Sequence, residues 1–295
     1  MKYKVTHTTA YQYGEPVPLG HNLVHLKPRE NQRQVLVNYS TVIRPNPIIR
    51  SELIYFFGNP VTWFAIQEPH TSLQIVARSL VEVKPFEVPK QFWWPAWDEV
   101  VRILQDRREA AVLEAQQFVP DSPYVKRDPQ LAEYARPSFM PGRPLLDCVT
   151  ELMNRINREF RFDKNATTIG TPVLEVLQHK HGVCQDFAHL MISALRGLGL
   201  PARYVSGYIR TKPPPGGKRR LGADQSHAWV GCWLGPEHGW VDLDPTNNLV
   251  VKDEHVVLGW GRDFRDVTPL RGVILGGAEH ELSVRVELEP EQTGT

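Results

Sequence analysis

The stretch Gly182-Val183-Cys184-Gln185-Asp186-Phe187-Ala188-His189 puts a cysteine in what reads as the first turn of a helix. Behind it Phe187, Leu190, Met191, Ala194, Leu195 and Leu198 recur at spacings of three and four. One face of that helix must therefore be covered by other parts of the chain. Gly182 allows a sharp turn into the helix, and Gly197 and Gly199 supply stop signals. A sulfur at a helix N-terminus lies beside unpaired N–H groups and the positive end of the helix dipole, which favour thiolate over thiol. Free cysteine is also among the most buried residue types, so this stretch alone is equally compatible with plain core.

The next sixty residues add partners. Leu200 to Ile209 reads as a strand, followed by a Pro- and Gly-rich loop from Thr211 to Gly222. Ser226-His227-Ala228-Trp229-Val230-Gly231-Cys232-Trp233-Leu234 is strand-like and opens with a histidine. A short turn leads to Trp240-Val241-Asp242-Leu243-Asp244-Pro245-Thr246. A cysteine on a helix is thus followed by a histidine and an acid on two neighbouring strands, which supplies a nucleophile, a base and an orienting group. Cys232 lies five residues from His227 on one strand and points to the opposite face, so Cys184 is the better partner. Asp242 and Asp244 share a face with Trp240, and parity leaves the choice between them open.

These residues resemble the transglutaminase-like superfamily, cysteine enzymes of the papain-like type. The matching blocks are Gly182-x-Cys184-x-Asp186-Phe187-Ala188, then Leu198-Gly199-x-Pro201-Ala202-Arg203-Tyr204-Val205-Ser206-Gly207-Tyr208, His227-Ala228-Trp229-Val230 and Gly239-Trp240-x-x-x-Asp244-Pro245-Thr246. The start His7-Thr8-x-x-Tyr11-x-Tyr13, with Leu26-x-Pro28-Arg29 and Phe57-Gly58-Asn59-Pro60, looks like the β domain that precedes this core in bacterial members. The resemblance implies an α+β chain: an N-terminal β-sandwich, then a core whose helical part packs on an antiparallel sheet. It implies Cys184 as nucleophile, His227 as base and Asp244, four residues after Trp240, as orienting acid. It implies a hydrolase of peptide, amide or isopeptide bonds working through a thioester, with protein or peptide substrates. Transfer of the acyl group to an amine is the alternative, and an inactive binding module the second. Gln185 follows the cysteine, whereas papain-like enzymes place their oxyanion glutamine before it.

The remaining sequence sets boundaries. Residues 1–85 hold about six short alternating runs, Tyr3 to Val83, broken by Gly, Pro and Asn, and read as the sandwich. Residues 86–143 read as a connector with helices, its Trp93, Trp94 and Trp97 docking one part on the other. Residues 144–290 read as the core, with helices at Leu145 to Arg158 and, behind a Thr171 cap and Pro172, at Val173 to Lys180. Val256-Val257-Leu258 and the alternating His280 to Leu288 are expected to finish the core sheet.

A net charge of +1 gives no sign of nucleic-acid or anionic-membrane affinity. No apolar run approaches the ~20 residues of a membrane helix. Three cysteines and no apolar leader point to a reducing, cytoplasmic setting. His179, His181, Cys184 and His189 lack the paired spacing of a structural zinc site, and no acidic calcium loop occurs, so no metal or cofactor is implied. Lys212, Lys218, Arg219 and Arg220 read as a solvated loop that could also cover the site.

Overall fold

A computed structural model describes residues 1–86, 94–210 and 226–291. The first six strands are β1 (Lys2–Val17), β2 (Leu19–Val24), β3 (Gln34–Arg44), β4 (Ile49–Ile54), β5 (Pro60–Ile66) and β6 (His70–Val83). On β1, Tyr3, Val5, His7 and Thr9 are buried while the residues between them are more exposed, the pattern of a strand with one covered face. The middle of the chain forms α1 (Trp97–Asp106), α2 (Ala110–Gln116), α3 (Pro129–Ala135), α4 (Leu145–Glu159), β7 (Arg161–Phe162), α5 (Val173–His179), β8 (His181–Gly182) and α6 (Cys184–Gly197). It continues through β9 (Ala202–Ile209), β10 (Ser226–Trp233), β11 (Trp240–Asp244), β12 (Leu249–Val250) and β13 (His255–Gly261). The chain finishes with β14 (Leu270–Leu275) and β15 (His280–Pro290).

The core sheet is antiparallel, in the order β12-β11-β10-β9-β13. Helix α6 packs on it through Leu190, Met191, Ala194 and Leu195, all inaccessible, against Ala202, Ala228 and Val230. The periodicity suggested one buried face; in fact every residue of α6 from Asp186 to Arg196 is buried. Arg196 is held there by bonds to Ala202 O (2.8 Å), Arg262 O (2.6 Å) and Ser122 Oγ (3.2 Å). Val100, Leu104, Val112 and Leu131 of the connector join the same cluster, so its helices pack as part of this half. Trp94 and Trp97 pack against it too, while Trp93 lies outside the described residues.

Two expectations are corrected. Val256-Val257-Leu258, in β13, does close the core sheet, but the run from His280 does not join it. β14 pairs with β2 and β15 with β1, giving sandwich sheets β14-β2-β5-β4 and β15-β1-β6-β3. Alternation predicts a strand but not its partner. Here Val286 and Leu288 are buried among Val5 and Val81 of the sandwich, and that cluster decides. The α5 cap is also shifted: Pro172, not Thr171, is the N-cap, and Thr171 Oγ1 accepts from Thr168 N at 2.9 Å instead.

The two halves are joined by side chains that imitate a strand. Gln34 Nε2 donates to Val257 O (2.7 Å) and its Oε1 accepts from Val257 N (2.8 Å). Asn59 does the same to Trp260, at 2.7 and 3.1 Å. These amides cover the free edge of β13, which would otherwise present unpaired backbone groups. His7 bonds Tyr208 Oη across the same seam at 2.9 Å.

Burial pushes His7 and His25 down to about 4 and His189 to about 3, from 6.5. A depressed imidazole stays neutral in the fold, whereas the unfolded chain takes up protons below pH 6.5. Stability is therefore present above that pH and lost as it falls towards 4, at about 1.4 kcal/mol per unit per histidine. Thermal midpoints measured from pH 7 to pH 4 are expected to drop steeply; a flat profile would contradict the buried-neutral assignment.

Candidate active site

Cys184 is the first residue of α6 and is half-buried, whereas Cys148 and Cys232 are buried. The turn that presents it is built by Asp186, whose Oδ2 accepts from Val183 N (2.8 Å) and Thr167 Oγ1 (2.6 Å). This carboxylate folds back over Gly182. A Cβ there would lie 2.7 Å from Asp186 Oδ2, so it is close approach that requires the glycine. Burial raises the Asp186 carboxyl above its ordinary range. The Phe160–Thr168 segment lies alongside, with β7 parallel to β8 and Asp163 N on Gly182 O at 2.9 Å. Gln185 turns its amide to Ile169 O (3.4 Å).

His227 is the second residue of β10, opposite Gly207 of β9. A side chain at 207 would strike Val256 O at 2.0 Å, which is why the strands can close so tightly behind the imidazole. Ala228, Val230 and Cys232 face α6, and His227 and Trp229 the other side, as alternation expects. Asp244 ends β11 and is fully buried. Its Oδ1 accepts from Thr246 N (3.0 Å) and Asn247 N (3.1 Å). Its Oδ2 accepts from His227 Nε2 (2.7 Å), Asn247 Nδ2 (2.7 Å) and His255 Nε2 (3.0 Å). Five donors on one carboxylate outweigh the cost of burial and hold it far below the usual range. An ionised carboxylate only accepts, so His227 carries its proton on Nε2 and leaves Nδ1 for the thiol. Burial pushes the His227 imidazole down, but hydrogen bonds to Asp244 and Cys184 overcome it and raise the ring to about 10.

The structure thus brings Cys184, His227 and Asp244 together and separates the two acids that parity left open. Asp242 Oδ2 accepts from Trp229 Nε1 (3.1 Å), and its Oδ1 lies 3.8 Å from Arg203 Nη2, away from His227. His189 is buried against Tyr204, with Nε2 accepting from Phe264 N at 3.2 Å. The loop carrying Lys212 to Arg220 lies outside the described residues.

Two site residues escaped the sequence reading, His255 and Asn247. The signal for His255 was the one used for His227: a histidine heading an otherwise apolar strand. His227, Asp244 and His255 offer ligand atoms within 4.8 Å of one another and could hold a divalent cation. Hydrogen bonds already satisfy that carboxylate, so nothing in the cluster requires an ion.

Comparison with known proteins places the chain in a family. Residues 3–82 match the bacterial transglutaminase-like N-terminal region and residues 133–245 the transglutaminase-like superfamily model. An uncharacterized protein of Mycobacterium tuberculosis is 39% identical, over 98% of this chain and 93% of its own length. One from Mycobacterium leprae is 32% identical over 97% and 98%. The chain belongs to the transglutaminase-like superfamily. A crystal structure from Cytophaga hutchinsonii, described as a candidate cysteine protease, superposes with TM-score 0.74 at 20% identity, covering 100% of this chain and 92% of that one. A Pseudomonas aeruginosa protein-glutamine gamma-glutamyltransferase is 34% identical over 102 residues, 33% of this chain and 15% of that one.

Proposed function

We propose that the protein is a cysteine-dependent amide hydrolase acting through a thioester, with Cys184, His227 and Asp244 as its catalytic residues. The observation that carries this reading is the imidazole held between the Cys184 thiol and the buried Asp244 carboxylate. His227 is placed to take the thiol proton on the nitrogen that Asp244 leaves free. The Cys184 sulfur attacks the substrate carbonyl carbon, forming a C–S bond and a tetrahedral oxyanion. The backbone N–H of Cys184, at the helix start, is the donor assigned to that charge. His227 then donates its proton to the leaving amine as the C–N bond breaks. The neutral ring next takes a proton from water, whose oxygen attacks the thioester carbon; the C–S bond breaks, the acid leaves, and the thiolate returns beside the protonated ring.

A primary amine in place of that water would make the same intermediate an acyl transfer. The local likeness to a gamma-glutamyltransferase supports keeping this second reading. Incubation of glutamine-containing peptides with and without a primary amine, read by mass spectrometry, separates them. Acid products in both samples support hydrolysis. Amine-linked products support transfer, and no turnover on any peptide supports a binding module.

Iodoacetamide near neutral pH is expected to label Cys184 well ahead of the other two cysteines. Burial pushes the Cys148 thiol up to about 11 and the Cys232 thiol up to about 12, and both are inaccessible. Equal labelling by peptide mapping would remove the argument for a selectively reactive sulfur.

His255→Phe is expected to lower turnover roughly 10- to 100-fold by deleting one charge-assisted bond to Asp244, of about 1.5–3 kcal/mol. His255→Gln keeps a donor at the Nε2 position and is expected to recover most of the rate. Equal loss in both variants would make His255 a packing residue only.

A further inference from the structure

Among the described residues the sandwich has four edge strands, β14 and β4 on one sheet and β15 and β3 on the other. An edge offers unpaired N–H and C=O groups to any passing chain, and folded proteins blunt it with charges, bulges or proline. β15 carries Glu281, Arg285, Glu287 and Glu289, and the register of β3 slips between Leu36 and Asn38. β4 has no such protection: it pairs with β5 without a register shift from Ile49 to Ile54 and contains no proline. Every residue of it is exposed except the half-buried Ser51. Ile48, Ile49, Leu53, Ile54, Tyr55 and Phe56 are 39–78% exposed, the densest run of exposed large apolar side chains among the described residues. An apolar edge left open in this way fits a strand that has a partner.

The order of residues defines that partner, because this edge is complementary to itself. Ile49-Arg50-Ser51-Glu52-Leu53 reads apolar, cation, small, anion, apolar. A second copy laid antiparallel about a two-fold axis at Ser51 sets Ile49 against Leu53, Arg50 against Glu52 and Ser51 against itself. β14 lacks this property, since its Arg271 has no acid to face. Backbone parity fits the same register. Tyr55 N donates to Asn59 O at 2.8 Å, continuing the ladder that sets Ile54 opposite Pro60. Alternation then turns the backbone of Leu53, Ser51 and Ile49 towards β5, and that of Arg50, Glu52 and Ile54 outward. Arg50 and Glu52 of two copies can therefore exchange both backbone bonds where their side chains meet. Neither charge is unpaired in the single chain. Arg50 Nη2 lies 3.2 Å from Glu52 Oε1, and Nη1 donates to Thr41 O at 2.9 Å. Glu52 also accepts from Thr62 Oγ1 at 2.8 Å and has Lys27 Nζ at 3.8 Å. These contacts hold both side chains on one face, yet leave them 36% and 42% exposed and open to a second partner of opposite sign. We propose that β4 pairs with β4 of a second copy, joining two four-stranded sheets into one across a two-fold axis at Ser51. One six-residue ladder is a small contact, so a reversible dimer is expected, with a Kd on the order of 10 μM.

Sedimentation velocity of the full chain, from about 1 μM to about 200 μM, tests this and is expected to show a shift from monomer to dimer. Arg50→Glu sets acid against acid twice in each dimer, and Glu52→Arg sets guanidinium against guanidinium twice. Each is expected to weaken the dimer at least about tenfold. Arg50→Glu and Glu52→Arg together in one chain restore opposite charges and are expected to bring the Kd back to within about threefold of the original. An equimolar mixture of the two single variants is expected to form a mixed dimer at concentrations where neither pairs with itself. Circular dichroism checks that each variant is folded. Should a charge variant unfold, Leu53→Lys takes its place: it sets a charge against Ile49 of the other copy and is expected to weaken the dimer as much. A chain that stays monomeric throughout leaves the edge to some other strand and overturns the proposal. So does a dimer indifferent to the folded variants, or a double variant and a mixture as weak as the singles. All readouts are of association, so a failure here leaves the reading of Cys184 untouched, and a failure there leaves this one standing.

Discussion

Cys184→Ala is expected to abolish amide turnover, by on the order of 10⁴-fold or more, because no other group in the site can form the thioester. The fold is expected to survive. Cys184 is half-buried at the helix start, and the turn there is held by Asp186 through Val183 N and Thr167 Oγ1, not by the sulfur. Circular dichroism and the thermal midpoint should stay within the range of a surface substitution, about 1 kcal/mol. Retained turnover in a folded variant would remove the nucleophile assignment. Lost turnover with lost structure would be uninformative, which is why the two measurements belong together. Cys148→Ala and Cys232→Ala serve as controls, since both thiols sit in the apolar cluster behind α6.

Asp244→Asn is expected to lower turnover about a thousandfold or more with little loss of structure. The carboxylate now dictates that His227 carries its proton on Nε2, since that nitrogen can only donate to Oδ2. An asparagine can present its own NH₂ there, turn the tautomer round and take away the nitrogen that the thiol needs. It also removes the charge that raises the His227 ring. The rate should therefore fall in kcat, with a changed pH profile. Asp242→Asn is expected to change turnover far less, because Asp242 serves Trp229 and Arg203 and makes no bond to His227. A reversed ranking would exchange the two acids.

What could be read before the structure was local. The cysteine-bearing helix, the histidine-led strand and the strand ending in Asp244 each show within ten residues, and their order along the chain suffices to suggest a site. Gly182 was readable as special but for the wrong reason. Its need comes from a carboxylate four residues ahead, not from an unusual backbone angle. Asn247 was hidden because its donation to Asp244 depends on the turn after Pro245, which the sequence does not display. His255 reaches Asp244 from a strand at the opposite side of the sheet, so only the sheet order places it. The partners of β14 and β15 were illegible for a similar reason. Alternation tells a strand which face to cover, and only the assembled apolar cluster tells it where.

The return of β15 to lie beside β1 makes the helical half, with its own sheet, an insertion within the sandwich. During synthesis β1 has β6 as its neighbour early but waits for residues 280–290 before its other ladder edge is closed. Until then a nascent chain carries a sixteen-residue strand with one open side, the kind of edge that captures stray partners. Truncation before residue 280 would make that waiting state permanent, so the final strand would decide whether the protein stays monodisperse.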